Sequence, residues 1–425
     1  MVLSYISTKE CCETIANAWI KIYCTVNQPK PFAGSRDLRL GETTKFQILL
    51  QPFIMQNEVT KMIPWAKPCF YGGEREAVAN AVASEWISGG PFIQEFEAKV
   101  AKICGVKHAF AVCNGTAAIH LLYLACEYTA GDEIILPAFG YQAAANIAIL
   151  AGLKPVFADV LPDTWCLDPQ DIKRVITPRT RAVMAVHTYG NVCNMRALRE
   201  VCACHNLDLL EDAAESFGST YEGLMSGAVS KAGTFSFHAT KAITTGEGGM
   251  VITNDDTLAD KIGLFRSHGM RRQKLHYWHE LPGHNFRLTN FQAAMGCAQL
   301  DHFQRVCDER IQIHQVYNQV LSLVQGMTLQ KFAPGTHIVP WSMPVLLDPT
   351  VFTDRNTLLE QMLARGIECR PGFYTPEQMG YFKSEKLLIS DLLARNIINL
   401  PMFNGMSDQQ IQRSVNTLIE LAPKT

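Results

Sequence analysis

The chain has 425 residues, of which 48% are hydrophobic and 18% charged, and its formal net charge is −2. This balance is typical of a globular protein and excludes a disordered tail, while the length suggests two or three domains. The small net charge gives no bulk field that would draw the chain to nucleic acid or to an anionic membrane. The 14 cysteines are irregularly spaced, without a repeated CxxC pair. We therefore expect no metal site and a reducing, cytoplasmic compartment.

The first 61 residues are unlike the rest of the chain. Residues 1–30 contain Lys9, Glu10, Glu13 and Lys21, which leave no apolar stretch long enough for a signal peptide or a membrane span. We expect residues 1–61 to be an N-terminal extension of unknown role, or the result of a start codon assigned too early. A coherent pattern begins near Met62.

From about residue 70 the pattern alternates between helices and short apolar strands. The predicted helices are Glu74–Trp86, Phe92–Ile103, Thr116–Tyr128, Gln142–Ala151, Pro169–Val175, Met195–His205 and Asn290–Phe303. The predicted strands are Phe110–Val112, Glu133–Leu136, Pro155–Val160, Ala182–His187, Leu207–Leu210, Gly233–Phe237 and Met250–Thr253. This alternation predicts an α/β fold with a mostly parallel central sheet flanked by helices, in a large domain over residues 62–310. Ligands of such sheets bind beyond the carboxyl ends of the strands.

Past residue 310 the pattern changes to that of a smaller α+β domain, residues 311–425. The predicted helices are Ile311–Val324, Thr353–Arg365 and a last helix that ends at Leu421 and begins with a capping box of Ser407 and Gln410. The predicted strands are Ile338–Val345 and Ile367–Arg370.

The first candidate site is Asn114-Gly115-Thr116, between a predicted strand and a predicted helix. Free N–H groups and the positive end of the helix dipole bind anions at such a turn, so it is a candidate phosphate site. An ordinary helix N-cap, which needs no ligand, explains the same residues.

The second candidate is Glu211-Asp212-Ala213-Ala214-Glu215, directly after a predicted buried strand. The two alanines leave room for a flat group, and a carboxylate at a strand end can hold a protonated pyridine nitrogen. The alternative is an aspartate that caps a helix.

The third candidate is Lys241, in a turn that follows the predicted strand Gly233–Phe237. A lysine can form a Schiff base with a carbonyl cofactor, and burial lowers its pKa so that it can act as a base. Most lysines are surface charges instead. The apolar strand before Lys241 and the glycine-rich segment Thr244–Gly249 after it favour a buried lysine. That segment is not a P-loop, because its order differs and a strand follows it.

Taken in order along residues 62–421, these motifs resemble the DegT/StrS family of aminotransferases that depend on pyridoxal 5'-phosphate (PLP). The other motifs that carry the resemblance are Ser88–Pro91 with Phe96-Glu97, Val186–Gly190, Thr244–Gly249 and Asn285-Phe286-Arg287. The resemblance implies the PLP-dependent transferase fold type I and an enzyme that acts on nucleotide-linked keto sugars.

The resemblance also implies roles at the reacting centre. Lys241 would bond to the cofactor and then move the proton between the donor and the cofactor. Asp212 would hold the pyridine nitrogen, and Tyr141 would stack on the ring. Glu215 would lie near the ring hydroxyl, where the family more often has Gln.

The same resemblance places the cofactor phosphate. Gly115, Thr116 and Ser236 would bind it within the subunit. Asn285 would reach the phosphate of the neighbouring subunit, which implies a homodimer with shared active sites.

Two segments resemble the perosamine-synthase branch of the family: His276–His279 and Cys369–Tyr374. In that branch L-glutamate donates the amino group and GDP-4-keto-6-deoxymannose accepts it. Another nucleotide-linked or activated keto sugar is the alternative, because pocket details that motifs do not report set specificity.

Two rival classes of function follow from the same family. Some members carry His in place of the lysine and eliminate water, so a sugar dehydratase is one alternative; Lys241 favours transamination instead. A non-catalytic regulator would be favoured by loss of Asp212 or Lys241, and both are present.

Overall fold

The computed structural model describes residues 62–271, 277–352 and 354–422. The predicted extension, residues 1–61, lies outside these ranges, and so does His276 of the perosamine-synthase-like segment. By its contacts the chain divides into Met1–Thr60 and Lys61–Thr425, and the described residues belong to the second unit. The predicted domain boundary between residues 310 and 311 falls inside one helix, Phe303–Leu321, and stays a prediction.

A seven-stranded sheet carries the first part of the fold. Its strands are β1 (His108–Val112), β2 (Glu133–Pro137), β3 (Lys154–Ala158), β4 (Thr180–Val186), β5 (Asp208–Asp212), β8 (Ala232–Ser236) and β9 (Gly249–Thr253). They lie in the order β1-β9-β8-β5-β4-β2-β3. β9 pairs antiparallel with both of its neighbours, and the other pairings are parallel. The predicted α/β class with a mostly parallel central sheet is therefore confirmed.

Helices cover both faces of this sheet. They are α1 (Glu74–Ala83), α2 (Pro91–Cys104), α3 (Gly115–Ala125), α4 (Ala143–Leu150), α5 (Pro169–Val175), α6 (Met195–His205), α7 (Asp256–Arg266) and α8 (Asn290–Leu300). Side chains of a strand alternate between its faces, and the buried strands follow that rule. In β4, Met184 packs with α3, α4 and α7, whereas Val183 and Ala185 pack with α5 and α6.

A second sheet carries the C-terminal part. Its four strands lie in the order β10 (Met327–Leu329), β12 (Met343–Leu347), β14 (Ile397–Leu400) and β13 (Arg370–Pro371). The helices of this part are α9 (Phe303–Leu321), α10 (Arg355–Ala364), α11 (Pro376–Met379), α12 (Leu388–Asn396) and α13 (Asp408–Leu421). The capping box of Ser407 and Gln410 begins α13 as predicted. A small third sheet consists of β11 (Thr336–His337), β6 (Thr220–Tyr221) and β7 (Leu224–Met225).

Two strand predictions were wrong in extent. The strand predicted at Ile338–Val345 begins only at Met343, because Pro340 lacks an N–H group and the N–H group of Trp341 donates to the carbonyl of Tyr189. The strand predicted at Ile367–Arg370 reduces to a bridge between Ile367 and Ile63, followed by β13. In the part of the chain that the structure describes, no helix is both long enough and apolar enough to cross a membrane.

Candidate active site

A cavity of about 1090 Å³ opens at the carboxyl ends of the parallel strands, where ligands of such sheets bind. It gathers most of the residues that the sequence singled out as a site. The predicted site residues that line it are Gly115, Thr116, Tyr141, Asp212, Glu215, Ser236 and Lys241. Asn285 is not among the lining residues; it is exposed and pairs with Ser267 in an isolated bridge.

Asn114 lies in the short connection between β1 and α3. The Asn114 side chain accepts from the N–H group of Ala117 at 2.8 Å, so it caps α3, and the N-cap alternative holds. This cap satisfies one N–H group, whereas the first turn of a helix has further N–H groups without an intrahelical partner, and Gly115 and Thr116 of this turn line the cavity. Ser236, the last residue of β8, lies directly against this turn: a Cβ on Gly115 would be 2.9 Å from the Cβ of Ser236.

Lys241 lies in the connection between β8 and β9, with a side chain that is 14% exposed. Its Nζ is 3.8 Å from Oε1 of Glu215. Burial lowers the pKa of Lys241, and the nearby carboxylates of Glu215 and Asp212 oppose that shift. The lysine is therefore a buried amine that can lose its proton more easily than a surface lysine.

Two carboxyl groups face this amine. Asp212 ends β5, is 4% exposed, and accepts from the N–H group of Ala214 at 3.1 Å. Burial raises the pKa of Asp212, while the Ala214 hydrogen bond and Lys241 oppose the shift. Burial also raises the pKa of Glu215, to about 7, against the opposing charge of Lys241. Glu215 can thus gain or lose a proton near neutral pH.

An aromatic wall closes the cavity on the side of Lys241. Tyr189 stacks between Phe373 and Trp341, with ring centroids 5.1 Å and 6.5 Å apart. Tyr189 has φ of 63°, an uncommon backbone conformation that directs its N–H group onto Oε2 of Glu215 at 2.8 Å. Lys241 Nζ lies 3.9 Å from the centroid of the Trp341 ring. The sequence reasoning missed this wall.

The signals for the wall were weak. Tyr189 and Phe373 belong to motifs of the family resemblance, but the sequence assigned neither residue a role. Nothing in the local sequence marks Trp341, which lies 100 positions after Lys241 in the chain. The positive φ of Tyr189 is carried by a residue type that gives no warning of it, and only the fold brings these rings together.

Behind the site, Glu211 of β5 makes hydrogen bonds to the segment before β8 and to His187. This fully buried carboxylate accepts hydrogen bonds from the N–H groups of Gly227, Val229 and Ser230 at 2.8–2.9 Å. It also pairs with Nε2 of His187 at 2.9 Å. The N–H group of Cys193 donates to Nδ1 of His187 at 3.3 Å, so Nε2 is the nitrogen that donates to Glu211. His187 is therefore a buried support of β5.

Comparisons with known proteins agree with this geometry. Residues 69–419 match the DegT/DnrJ/EryC1/StrS aminotransferase family. The chain is 40% identical to GDP-perosamine synthase of Caulobacter vibrioides over 359 residues, which cover 83% of this chain and 96% of that protein. It is 36% identical to GDP-perosamine synthase of Vibrio cholerae, over 84% of this chain and 98% of that protein.

A solved structure with the same fold is that of PseC of Helicobacter pylori, described as an aminotransferase involved in the biosynthesis of pseudoaminic acid. It aligns with a TM-score of 0.81 at 28% identity and covers 85% of this chain and 99% of that one.

Proposed function

This chain belongs to the DegT/DnrJ/EryC1/StrS aminotransferase family, and we propose that it transfers the amino group of L-glutamate to a nucleotide-linked 4-keto-6-deoxy sugar. Enzymes of this family are PLP-dependent aminotransferases. The observation that carries the proposal is the buried Lys241 amine, which faces Asp212 and Glu215. Gly115 and Ser236, which lie against each other, line the same cavity.

The residues of the cavity fit PLP at its three recognition points. The close approach of Gly115 to Ser236, next to the N-terminus of α3, makes a small anion site that a Cβ at position 115 would fill. The buried Asp212 carboxylate suits a protonated pyridine nitrogen, and the Lys241 amine suits an aldehyde. When bound, PLP supplies an electron sink that stabilises negative charge at the Cα of an amino acid.

The other predicted contacts follow from this placement. Thr116 and Ser236 would donate to the phosphate, Tyr141 would stack on the ring, and Glu215 would lie near the ring hydroxyl. Lys241, as a neutral amine, would move a proton from the donor Cα to the cofactor, and in the second half of the reaction from the cofactor to the acceptor carbon. Asp212 would keep its charge opposite the ring nitrogen.

The reaction balances without an external oxidant or reductant. L-Glutamate gives up its amino group and leaves as 2-oxoglutarate, and the keto group of the sugar becomes an amino group. The cavity volume of about 1090 Å³ leaves room for a substrate beyond the cofactor site, and Arg370 and His238 are basic residues among its lining.

The acceptor we propose is GDP-4-keto-6-deoxymannose, which would make the product GDP-perosamine. The support comes from the two relatives named GDP-perosamine synthase, which match this chain over nearly their full lengths. Most of the segment Cys369–Tyr374, part of the resemblance to that branch, lines the cavity: Arg370, Phe373 and Tyr374 are among its walls.

We also propose a cytoplasmic homodimer with shared active sites. In the described residues the eleven cysteines are free, which supports a reducing compartment. Asn285 is exposed and stands apart from its own cavity, as a residue that serves a neighbouring subunit would.

The test is an assay of the purified protein with PLP, L-glutamate and GDP-4-keto-6-deoxymannose. We expect a GDP-linked amino sugar and 2-oxoglutarate in equal amounts, and neither with the Lys241→Ala variant. The same assay with the dTDP-linked keto sugar serves as the specificity control. Release of a deoxygenated sugar without amination would contradict the proposal.

A further inference from the structure

The free amine of Lys241 has two specific neighbours. Nζ lies 3.9 Å from the centroid of the Trp341 ring and 3.8 Å from Oε1 of Glu215. An ammonium group over an indole face is attracted by the ring, and the attraction grows where water is excluded. The amine is therefore held from two directions, one aromatic and one carboxylic.

Trp341 is itself held firmly. Its indole N–H group donates to the carbonyl of Thr240 at 3.0 Å, and its backbone N–H group donates to the carbonyl of Tyr189 at 3.0 Å. Its own carbonyl accepts from Nη1 of the buried Arg310 at 3.0 Å. Because these three partners come from separate segments of the chain, the indole has little freedom to leave the amine.

Tyr189, which holds the backbone of Trp341, also fixes Glu215. Its Oε2 accepts from the N–H group of Tyr189, so Oε1 is the oxygen directed at Lys241. Tyr189 thus joins the two neighbours of the amine through its own N–H and carbonyl groups. A shift of Tyr189 would move both of them.

Transamination uses the lysine in two states. Its amine first bonds to the cofactor aldehyde, and it must then act as a base while the substrate holds that position. We propose that Trp341 and Glu215 form a holding site for the released Lys241 amine and act as positioning residues that keep it near the reacting carbon. This inference deepens the proposed function and rests on it.

The charges that face the amine set how tightly it is held. Glu215 and Asp212 favour its protonated form, whereas burial and the buried cation of Arg310 favour the neutral form. The aromatic face of Trp341 adds to the first group. The holding site therefore keeps the amine in place without a strong ion pair that would prevent it from losing its proton.

The test is competitive acetylation of the apoprotein with acetic anhydride, followed by peptide mass spectrometry. The exposed Lys102 on α2 is the internal reference. Trp341→Phe and Trp341→Leu both lose the indole N–H group, and they differ in whether an aromatic face remains. We expect Lys241 to be acetylated about threefold faster in the Leu variant than in the Phe variant.

The Glu215→Gln variant supplies a second comparison that does not depend on how the Trp341 variants fold. The ratio of the Lys241 acetylation rate in this variant to that in the wild type should be about 1 below pH 7, where Glu215 is protonated and resembles Gln. Above pH 7 the ratio should rise to about five, because only the wild type then keeps a carboxylate against the amine. Glu247→Gln is the matched control: Glu247 lines the same cavity but pairs with His238.

Equal rates in the two Trp341 variants, or a Glu215→Gln ratio that does not change with pH, would overturn the proposal. Because acetylation is measured without cofactor or substrate, its result is independent of the aminotransferase assay. Inactive wild-type protein with the expected acetylation pattern would refute the proposed function and the positioning role that rests on it, while the contacts of Trp341 and Glu215 with the Lys241 amine would stand.

Discussion

Gly115 and Ser236 approach so closely that a Cβ on residue 115 would lie 2.9 Å from the Cβ of Ser236. Gly115 begins α3 and Ser236 ends β8, so this contact joins a helix N-terminus to a strand end. The atom in the way is a Cβ and not the far end of a flexible side chain, so relief would require movement of the backbone.

Gly115→Ala should therefore weaken PLP binding. Alanine would separate Ser236 from the first turn of α3, with an overpacking cost of about 1–3 kcal/mol. We expect the dissociation constant of PLP, measured by absorption titration of the apoprotein, to rise at least about tenfold. The control is Gly89→Ala, since a Cβ at that exposed glycine would meet nothing within 4 Å. Unchanged PLP affinity in the Gly115 variant would place the phosphate elsewhere.

Glu211→Gln should destabilise the protein although Glu211 does not line the cavity. Both carboxylate oxygens accept hydrogen bonds, so an amide NH₂ in place of either oxygen would face N–H donors. We expect a loss of about 3 kcal/mol in the free energy of unfolding, measured by urea denaturation. Glu222→Gln, which removes an exposed partner of Arg196, should cost less than about 1 kcal/mol. Equal effects of the two substitutions would refute the support role of Glu211.

Glu215 should make the stability of the apoprotein depend on pH. Its pKa in the folded protein is raised from 4.5 to about 7, so folding favours the protonated form. The stabilisation is complete below pH 4.5 and is lost as the pH rises through 7. The free energy of unfolding of the Glu215→Gln variant, relative to that of the wild type, should therefore rise by about 3 kcal/mol from acidic to mildly alkaline pH. Urea denaturation at both ends of this range measures the difference, and a constant difference would show that the carboxyl group is not perturbed.

Much of the fold could be predicted because its signals are local. β2, β5 and β8 are short, buried strands with apolar residues at their centres, and the residues that follow them determine where the site lies. The order of the motifs was enough to predict that Gly115, Asp212 and Lys241 share one site, and all three line the cavity. Asn114 could be predicted as a helix N-cap for the same reason, since a cap acts within three residues.

What could not be predicted depends on contacts between distant segments. Apolar strands look alike in either direction, so nothing in Gly249–Thr253 shows that β9 runs against its neighbours. Trp341 reaches Lys241 only because the chain returns from the C-terminal part, and the packing of Tyr189 depends on Phe373 from the same part. The helix Leu388–Asn396 and the strand Ile397–Leu400 follow each other without an intervening loop, so the apolar periodicity predicted neither element.

The proposed function requires that Lys241 carries PLP and that L-glutamate donates the amino group. The most direct measurement is the absorption spectrum of the PLP-loaded protein before and after addition of L-glutamate, with 2-oxoglutarate assayed in the same sample. We predict loss of the visible band of the bound cofactor, growth of a near-ultraviolet band, and one equivalent of 2-oxoglutarate, with no 2-oxoglutarate from the Lys241→Ala variant. A protein that binds no PLP, or a visible band that L-glutamate leaves unchanged, would contradict the proposed function.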